Sequence, residues 1–165
     1  MNIRELALVA LVALMASAPA QAGESSAYFG FKAGLMDPQA SGHKDTLNVG
    51  ALIGYQIFDE PQGSGAFEAE ATGSLARGKI KGDGDWTVNT YGVYFAYRTP
   101  TTVYLKAKGG VYNQQINPAN DIADRTGFNY GVGFGWRASR NAGVEAEFTE
   151  FHDINYVSFG FYSFF

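Results

Sequence analysis

The stretch "FNYGVGFGWR", residues 128–137, alternates strictly between large apolar residues and small or polar ones. A period of two places successive side chains on opposite faces of an extended chain. One face of this segment therefore carries rings and a branched side chain, and the other carries Asn129, three glycines and Arg137. The glycines are not spaced as G-x-G-x-x-G and no helical pattern follows, so a nucleotide loop is disfavoured. Glycine at every second position instead leaves room inside a narrow closed barrel.

The same alternation recurs in segments of about ten residues, and no helical period appears. Eight antiparallel strands are predicted, over residues 27–36, 46–57, 66–77, 86–98, 102–115, 127–137, 143–151 and 155–165. Turns are predicted at 58–65, 99–101 and 138–142, and loops at the opposite end at 37–45, 78–85, 116–126 and 152–154. Trp86 and Val88 carry the opposite parity from the rest of their strand, which predicts a β-bulge there.

The apolar face is rich in rings, since the chain contains 13 Phe, 10 Tyr and 2 Trp. The interior of an eight-stranded barrel is just wide enough for side chains to fill it. We therefore expect the rings outside, facing lipid, and the glycines with a few long charged side chains inside. The alternation predicts an eight-stranded antiparallel up-and-down transmembrane β-barrel.

The N-terminal segment is typical of a secretory signal peptide. Arg4 gives a short basic start, residues 6–16 form the apolar run "LALVALVALMA", and Ala20 and Ala22 fit an A-x-A cleavage site. Residues 1–22 are thus predicted to be removed, leaving residues 23–165 as the barrel domain. That domain must be held together without disulfides, because the chain has no cysteine.

Composition argues against several classes of partner. A net charge of −4 argues against nucleic acid. The segments "GDGD" and "NDIAD" offer oxygen ligands but do not match an EF-hand loop, so solvated loop charge is the default interpretation. We expect neither a cofactor nor a bound metal.

The signal peptide, the eight alternating segments, "FNYGVGFGWR" and the C-terminal "FGFYSFF" together resemble the OmpA/OmpX-like superfamily of small outer-membrane β-barrel proteins. The resemblance covers residues 23–165 and implies a Gram-negative outer membrane, a monomer, and contact with lipid and lipopolysaccharide. It also implies that Phe159, Phe161 and Phe165 act as a signal to the outer-membrane assembly machinery.

Parity places nine charged residues on the lumen face of the predicted barrel: Lys32, Glu68, Glu70, Arg98, Lys106, Lys108, Arg137, Glu145 and Glu147. We expect Arg137 to pair with Glu145, and Arg98 with Glu68. A lone charge in the lumen would cost several kcal/mol of desolvation, so the hypothesis is a layer of alternating charge that closes the periplasmic half and blocks a continuous pore. Four further basic residues near the outer rim, Arg77, Lys79, Lys81 and Arg125, are candidates for lipopolysaccharide phosphate contacts.

The function predicted from these features is a structural or surface-interaction role. The alternatives are a passive small-solute channel, a lipid A-modifying enzyme, and a periplasmic ligand-binding barrel of lipocalin type. An enzyme of this kind would have a site centred on a histidine, and the chain contains two, His43 and His152. His152 follows Glu150 and precedes Asp153. Neither histidine has a serine in a recognisable local motif, so no catalytic residue is assigned.

Overall fold

The computed structural model describes residues 26–39, 44–80, 84–118 and 123–165. The predicted signal segment, His43 and Lys81 lie outside these residues. The described residues contain no helix long and apolar enough to cross a bilayer. Their strands are β1 (Ala27–Pro38), β2 (Thr46–Glu60), β3 (Gly63–Ser74), β4 (Gly78–Ile80), β5 (Gly84–Arg98), β6 (Val103–Pro118), β7 (Ala123–Arg137), β8 (Ala142–Phe151) and β9 (Ile154–Phe164).

Eight of these strands close into an antiparallel barrel, which confirms the predicted fold. Each strand pairs with its neighbour in the chain, except that β3 pairs directly with β5. The barrel closes where β1 pairs with β9, from Tyr28 opposite Phe164 to Pro38 opposite Ile154. The short β4 adds to the edge of β5 beyond the barrel wall. Closure leaves no long strand with a free edge.

The strands are staggered around the barrel. A row of paired residues that leaves β2 at Gln56 passes through every long strand and returns to β2 at Thr46, ten residues away. Such a stagger accompanies a strand tilt of roughly 35–45°. It brings residues from distant parts of the sequence to the same height inside the barrel.

One end of the barrel has short turns and is called the turn end; the other is the loop end. The turns are residues 61–62, 99–102 and 138–141. The first is shorter than the predicted 58–65 because β2 and β3 stay paired as far as Glu60 and Gly63. Gly63 has φ of 149°, a conformation that L side chains rarely adopt. Strand β3 consequently starts and ends three residues earlier than predicted.

The bulge predicted at Trp86 is wrong. Strand β5 stays in continuous register with β6, so Trp86 and Val88 point into the barrel and are fully buried. The sequence pattern misled because the polarity of the two faces is inverted at this height: the inward residues Trp86 and Val88 are apolar, whereas the outward residues Thr87 and Asn89 are polar. A register shift occurs instead in β2, between Gln56 and Phe58.

The outer face is apolar, as predicted. Large hydrophobic side chains project from every long strand and remain exposed, for example Phe31, Phe67, Phe128, Phe134 and Phe159. A soluble barrel would bury such a face, and a contiguous apolar surface of this size marks contact with another apolar phase. The lipid-facing band of transmembrane barrels has this character.

The lumen holds more rings than expected. Eight are buried inside: Tyr28, Tyr94, Tyr104, Tyr112, Tyr156, Tyr162, Trp86 and Phe151. Several lie flat against a neighbouring strand at a glycine. A methyl group on Gly54 would lie 2.2 Å from Cζ of Tyr28, and one on Gly135 would lie 2.3 Å from Cζ of Tyr104. The glycines thus make room for tyrosine rings as well as for charged side chains.

Candidate functional site in the barrel lumen

Among the residues that the structure describes, eight buried charged side chains occupy the turn-end half of the lumen. They come from five strands, and each is at most 7% exposed: Lys32 on β1, Glu68 and Glu70 on β3, Arg98 on β5, Lys106 and Lys108 on β6, and Glu145 and Glu147 on β8. The four acids and four bases balance. Each acid or base pair on one strand is separated by an outward apolar residue, because alternate residues share a face.

Four of these residues form a ring of ion pairs nearest the turns. Arg98 contacts Glu68 through Nη2 at 2.5 Å and Glu145 through Nε at 2.7 Å. Lys106 contacts the same two carboxylates at 3.0 and 2.9 Å. The Lys106–Glu68 contact is ionic without being a hydrogen bond, since Oε2 of Glu68 has no hydrogen-bond partner. The predicted proximity of Arg98 to Glu68 is therefore correct.

A second ring of the same kind lies above the first. Lys32 contacts Glu70 at 2.9 Å and Glu147 at 3.1 Å. Lys108 contacts the same two carboxylates at 2.8 and 2.7 Å. One pair joins the two rings, with Nζ of Lys106 3.1 Å from Oε2 of Glu147. Lys106 thus touches three carboxylates, and Glu147 touches three lysines.

Tyrosines contact both rings of ion pairs, by hydrogen bonds to the first and by a cation–π contact to the second. Tyr28 and Tyr104 donate to Glu68 and Glu145, each at 2.7 Å. The face of the Tyr94 ring is turned toward Nζ of Lys108, with 4.3 Å between the nitrogen and the ring centroid, in cation–π geometry. These contacts matter because an uncompensated charge in a dry interior costs several kcal/mol. Every carboxylate here has at least two cationic partners.

Arg137 does not belong to this cluster, and the predicted Arg137–Glu145 pair is wrong. The register of β7 on β8 sets Arg137 opposite Gly143, whereas Glu145 lies opposite Gly135. Arg137 therefore sits nearer the turns, where it donates to the backbone oxygens of Thr101 and Thr99. Its guanidinium covers the ring of Tyr104, which separates it from Glu145.

The loop-end half of the lumen is filled by a cluster that sequence reasoning missed. Met36, Trp86, Val88, Tyr112, Phe151, Ile154 and Tyr156 are buried together there. The alternating pattern could have indicated it, because Trp86, Val88 and Met36 are all apolar at lumen parity. Trp86 is anchored by donation from Nε1 to the backbone oxygen of Lys44. Charge and apolar packing thus fill successive halves of one lumen.

A small cavity lies beside the charges. A cavity lined in part by Lys32, Glu145 and Glu147 measures about 10 Å³. That volume is at the lower limit for one water molecule. The chemistry of this half of the lumen is that of ion pairing.

The basic residues predicted at the outer rim are divided between two sides of the barrel. Arg77 and Lys79 share the carboxylate of Asp85, at 3.7 and 2.8 Å. Arg125 lies on β7 and pairs with Asp153. Lys81 lies outside the described residues.

His152, a candidate for a catalytic role, lies at the loop end. His152 is three-quarters exposed, and its Nε2 is 3.9 Å from Oδ1 of Asp153, which also holds Arg125. Within the described part of the chain, no group of three or more His, Cys, Asp or Glu side chains could hold a metal ion.

The three phenylalanines predicted to signal assembly lie on the outer face. Phe159 and Phe161 project from β9, and Phe165 follows it, with backbone donation to Ala27 on β1. All three side chains are at least 44% exposed.

The fold and this distribution of side chains define an outer-membrane β-barrel. The chain belongs to the outer membrane protein beta-barrel domain family, which it matches over residues 6–163. Its location is accordingly the outer membrane of a Gram-negative bacterium. No curated protein matches the chain significantly.

Several solved structures share the fold. Neisserial surface protein A (NspA) superposes with a TM-score of 0.61 at 18% identity, over 87% of this chain and 99% of NspA. The N-terminal β-barrel domain of OprF from Pseudomonas aeruginosa gives 0.57 at 13% identity, over 84% and 97%. Ail, the attachment invasion locus protein of Yersinia pestis, in complex with the heparin analogue sucrose octasulfate, gives 0.56 at 13% identity, over 87% and 99%.

Proposed function

We propose that this protein is a structural, surface-interacting barrel of the outer membrane whose lumen is closed by its own side chains. It acts through its lipid-facing wall and its outer rim, without conducting solutes and without catalysis. It is a monomer, exported by residues 1–22 and inserted by the assembly machinery through Phe159, Phe161 and Phe165.

The observation that carries this proposal is the pair of linked ion-pair rings across the lumen. Nine contacts of 3.1 Å or less join eight charges from five strands within the described residues. A conducting lumen would leave such charges hydrated and apart. Here they are paired and nearly dry, so ions crossing the barrel would have to displace them.

The rim supports the surface-interaction part of the proposal. Arg77 and Lys79 are exposed on one side of the loop end, and basic side chains in such a position are suited to bind the phosphates of lipopolysaccharide. Arg125, and Lys81 by its position in the sequence, are the further candidates for such contacts. Ail was solved with a polysulfated ligand, which supports the idea that small barrels of this fold bind polyanions at their surface.

Planar-bilayer recording of the purified protein tests the closed lumen. We expect no large, steady conductance from the parent protein. A matched pair of variants sharpens the test: Glu147→Ser removes the carboxylate that three lysines share, and Ser158→Ala alters a neighbouring lumen residue without changing charge. Any rise in brief conductance events should be confined to Glu147→Ser. Large, steady currents through the parent protein would favour the small-solute channel instead.

A further inference from the structure

Three strands continue together beyond the barrel wall at the loop end. Strand β3 leaves β5 at Asn89, and β8 leaves β7 at Tyr130, but β5, β6 and β7 stay paired with one another beyond these points. Their continuation, called the outer sheet, consists of residues 86–89, 113–118 and 123–127. Its inner face packs on the apolar cluster of the lumen through Trp86, Val88 and Ile116. Packing on a buried cluster restricts local opening, so the outer sheet is a firm platform.

The outer face of this sheet carries an array of uncharged polar side chains. Alternate residues of a strand share a face, so the residues between the buried ones point outward: Thr87 and Asn89 on β5, Asn113, Gln115 and Asn117 on β6, and Thr126 on β7. These six residues are called the amide array. The register sets Asn89 opposite Gln115 and Thr87 opposite Asn117. Side chains in such pairs have Cβ atoms about 4.5–5.5 Å apart, so they form one continuous surface.

Most of the amide array is free to bind a ligand. Asn113 donates to Thr126 at 3.1 Å, whereas the other four side chains have no hydrogen-bond partner among the described residues. An amide offers two donors and an acceptor, and a hydroxyl both donates and accepts. The hydroxyl groups of a sugar have the same mixed character. A phosphate pairs best with cations, but the array contains none, and Asp124, opposite Gln115, is a carboxylate.

An aromatic ring and a depression adjoin the lower edge of the amide array. Tyr91 lies opposite Asn113, and its side chain is 38% exposed. Tyr91 and Asn89 are among the residues that line a depression of about 470 Å³ in the outer wall. Ligand sites combine aromatic contacts with a few polar groups that fix orientation. The C–H face and the hydroxyl groups of a sugar ring suit this combination.

The amide array lies at the level where the lipid-facing band ends. The next outward residues toward the turn end are Tyr91 on β5, Val111 on β6 and Phe128 on β7, and all three are exposed. The apolar band of a transmembrane barrel ends at a polar interface. In the outer leaflet of an outer membrane, the sugars and phosphates of glycolipids form that interface. The array therefore faces sugar.

The wall formed by β8, β9 and β1 differs at the corresponding level. Its first outward residues beyond the apolar band are Glu150, Asn155 and Asp37, which lie in one row. Two carboxylates thus flank a single amide, which accepts a hydrogen bond from Gln39. Like charges repel, so this row is unsuited to the phosphorylated headgroups of glycolipids. It supplies a matched control surface.

We propose that the amide array, with Tyr91 below it, binds the saccharide of a glycolipid in the surrounding outer leaflet, which is the sugar core of lipopolysaccharide. This inference rests on the proposed surface-interaction role. It adds a sugar site on β5 and β6, which is separate from the basic residues of the rim.

Native mass spectrometry of the folded protein in detergent tests this site. The probes are lipopolysaccharide whose sugar core carries no phosphate, and lipid A, which has the same acyl chains and phosphates without that core. We expect the parent protein to bind lipopolysaccharide about tenfold more tightly than lipid A. The double variant Asn89→Ala with Gln115→Ala should lose this preference, as the loss of about two hydrogen bonds predicts.

A second double variant, Gln39→Ala with Asn155→Ala, is the matched control. It also removes two amides from the loop end, but on the β1 and β9 side. It should keep the preference of the parent for lipopolysaccharide. Heat-modifiable gel mobility verifies that both double variants are folded. Side-chain amide signals in NMR spectra of the parent provide a measurement without substitution: a dephosphorylated core oligosaccharide should shift those of Asn89 and Gln115 and leave that of Asn155 unchanged.

The outcomes separate the sugar site from other contacts with lipid. Equal binding of lipid A and lipopolysaccharide by the parent would overturn the sugar site, while leaving the proposed contact of the rim with phosphates in place. Equal losses in the two double variants would also overturn it, because the binding would then not be confined to the amide array. If the parent bound neither glycolipid, both the sugar site and the proposed contact with lipopolysaccharide would be rejected, and the closed lumen would still be judged by its conductance.

Discussion

The two halves of the lumen are filled in opposite ways by one alternating wall. In the turn-end half, four acids and four bases form linked rings. In the loop-end half, Met36, Trp86, Ile154 and their neighbours pack as an apolar cluster. Both halves are buried, but the first depends on every partner being present, whereas the second depends mainly on volume. The difference predicts which substitutions each half tolerates.

The largest effect is expected from removing the most connected cation. Lys106→Ala leaves Glu68, Glu145 and Glu147 short of one partner each. Breaking a buried ion pair by removing one partner costs about 3–5 kcal/mol. We expect the free energy of unfolding, measured by urea titration in lipid vesicles, to fall by that amount. Lys79→Ala at the exposed rim, the control, should cost less than about 1 kcal/mol; equal losses would contradict a dry network.

A pair of shape-conserving substitutions compares the halves directly. Glu147→Gln keeps the side-chain volume but removes a charge that three lysines share. Met36→Leu nearly keeps volume in the apolar cluster. The first should cost about 1–3 kcal/mol because charged groups lose their partner, and the second less than about 1.5 kcal/mol. The same vesicle assay ranks them, and the reverse order would mean that the charged half also depends mainly on volume.

A smaller effect is expected where the predicted pairing was wrong. Arg137→Gln removes a cation that touches backbone oxygens near the turns and not a carboxylate of the rings. These charge-assisted bonds are exposed or only partly buried, so each contributes less than the roughly 1.5–3 kcal/mol of a hydrogen bond to a charged group, and glutamine can replace one of them. We expect a loss under about 1 kcal/mol by urea titration. A loss as large as that of Lys106→Ala would place Arg137 in the network after all.

The sequence was sufficient for the strands and the faces, because a period of two assigns each side chain to the lumen or to lipid. Eight of the nine predicted lumen charges are buried in the rings for this reason. Cross-strand partners were harder to predict, because they depend on the register between strands. That register is set by where the strands end and by the lengths of the turns. The register places Arg137 opposite Gly143, two residues nearer the turns than Glu145.

The loop-end half was missed for another reason. At the loop end the apolar lumen inverts the contrast between the two faces of β5, so that the pattern at Trp86 and Val88 looks like a change of parity at a β-bulge. Whether Trp86 and Val88 are buried depends on the strands around them. It follows from the stagger of the whole barrel, which cannot be read from one segment of the sequence.

The mutual dependence of the charges is tested most directly by a double-mutant cycle on Arg98 and Glu145, whose atoms lie 2.7 Å apart. Arg98→Gln, Glu145→Gln and the double variant are unfolded by urea in vesicles, with Arg137 and Glu145 as the parallel control cycle. The account predicts a coupling energy of about 1–3 kcal/mol for Arg98 with Glu145, and less than about 0.5 kcal/mol for Arg137 with Glu145. Additive losses for Arg98 and Glu145, or equal coupling in both cycles, would contradict it.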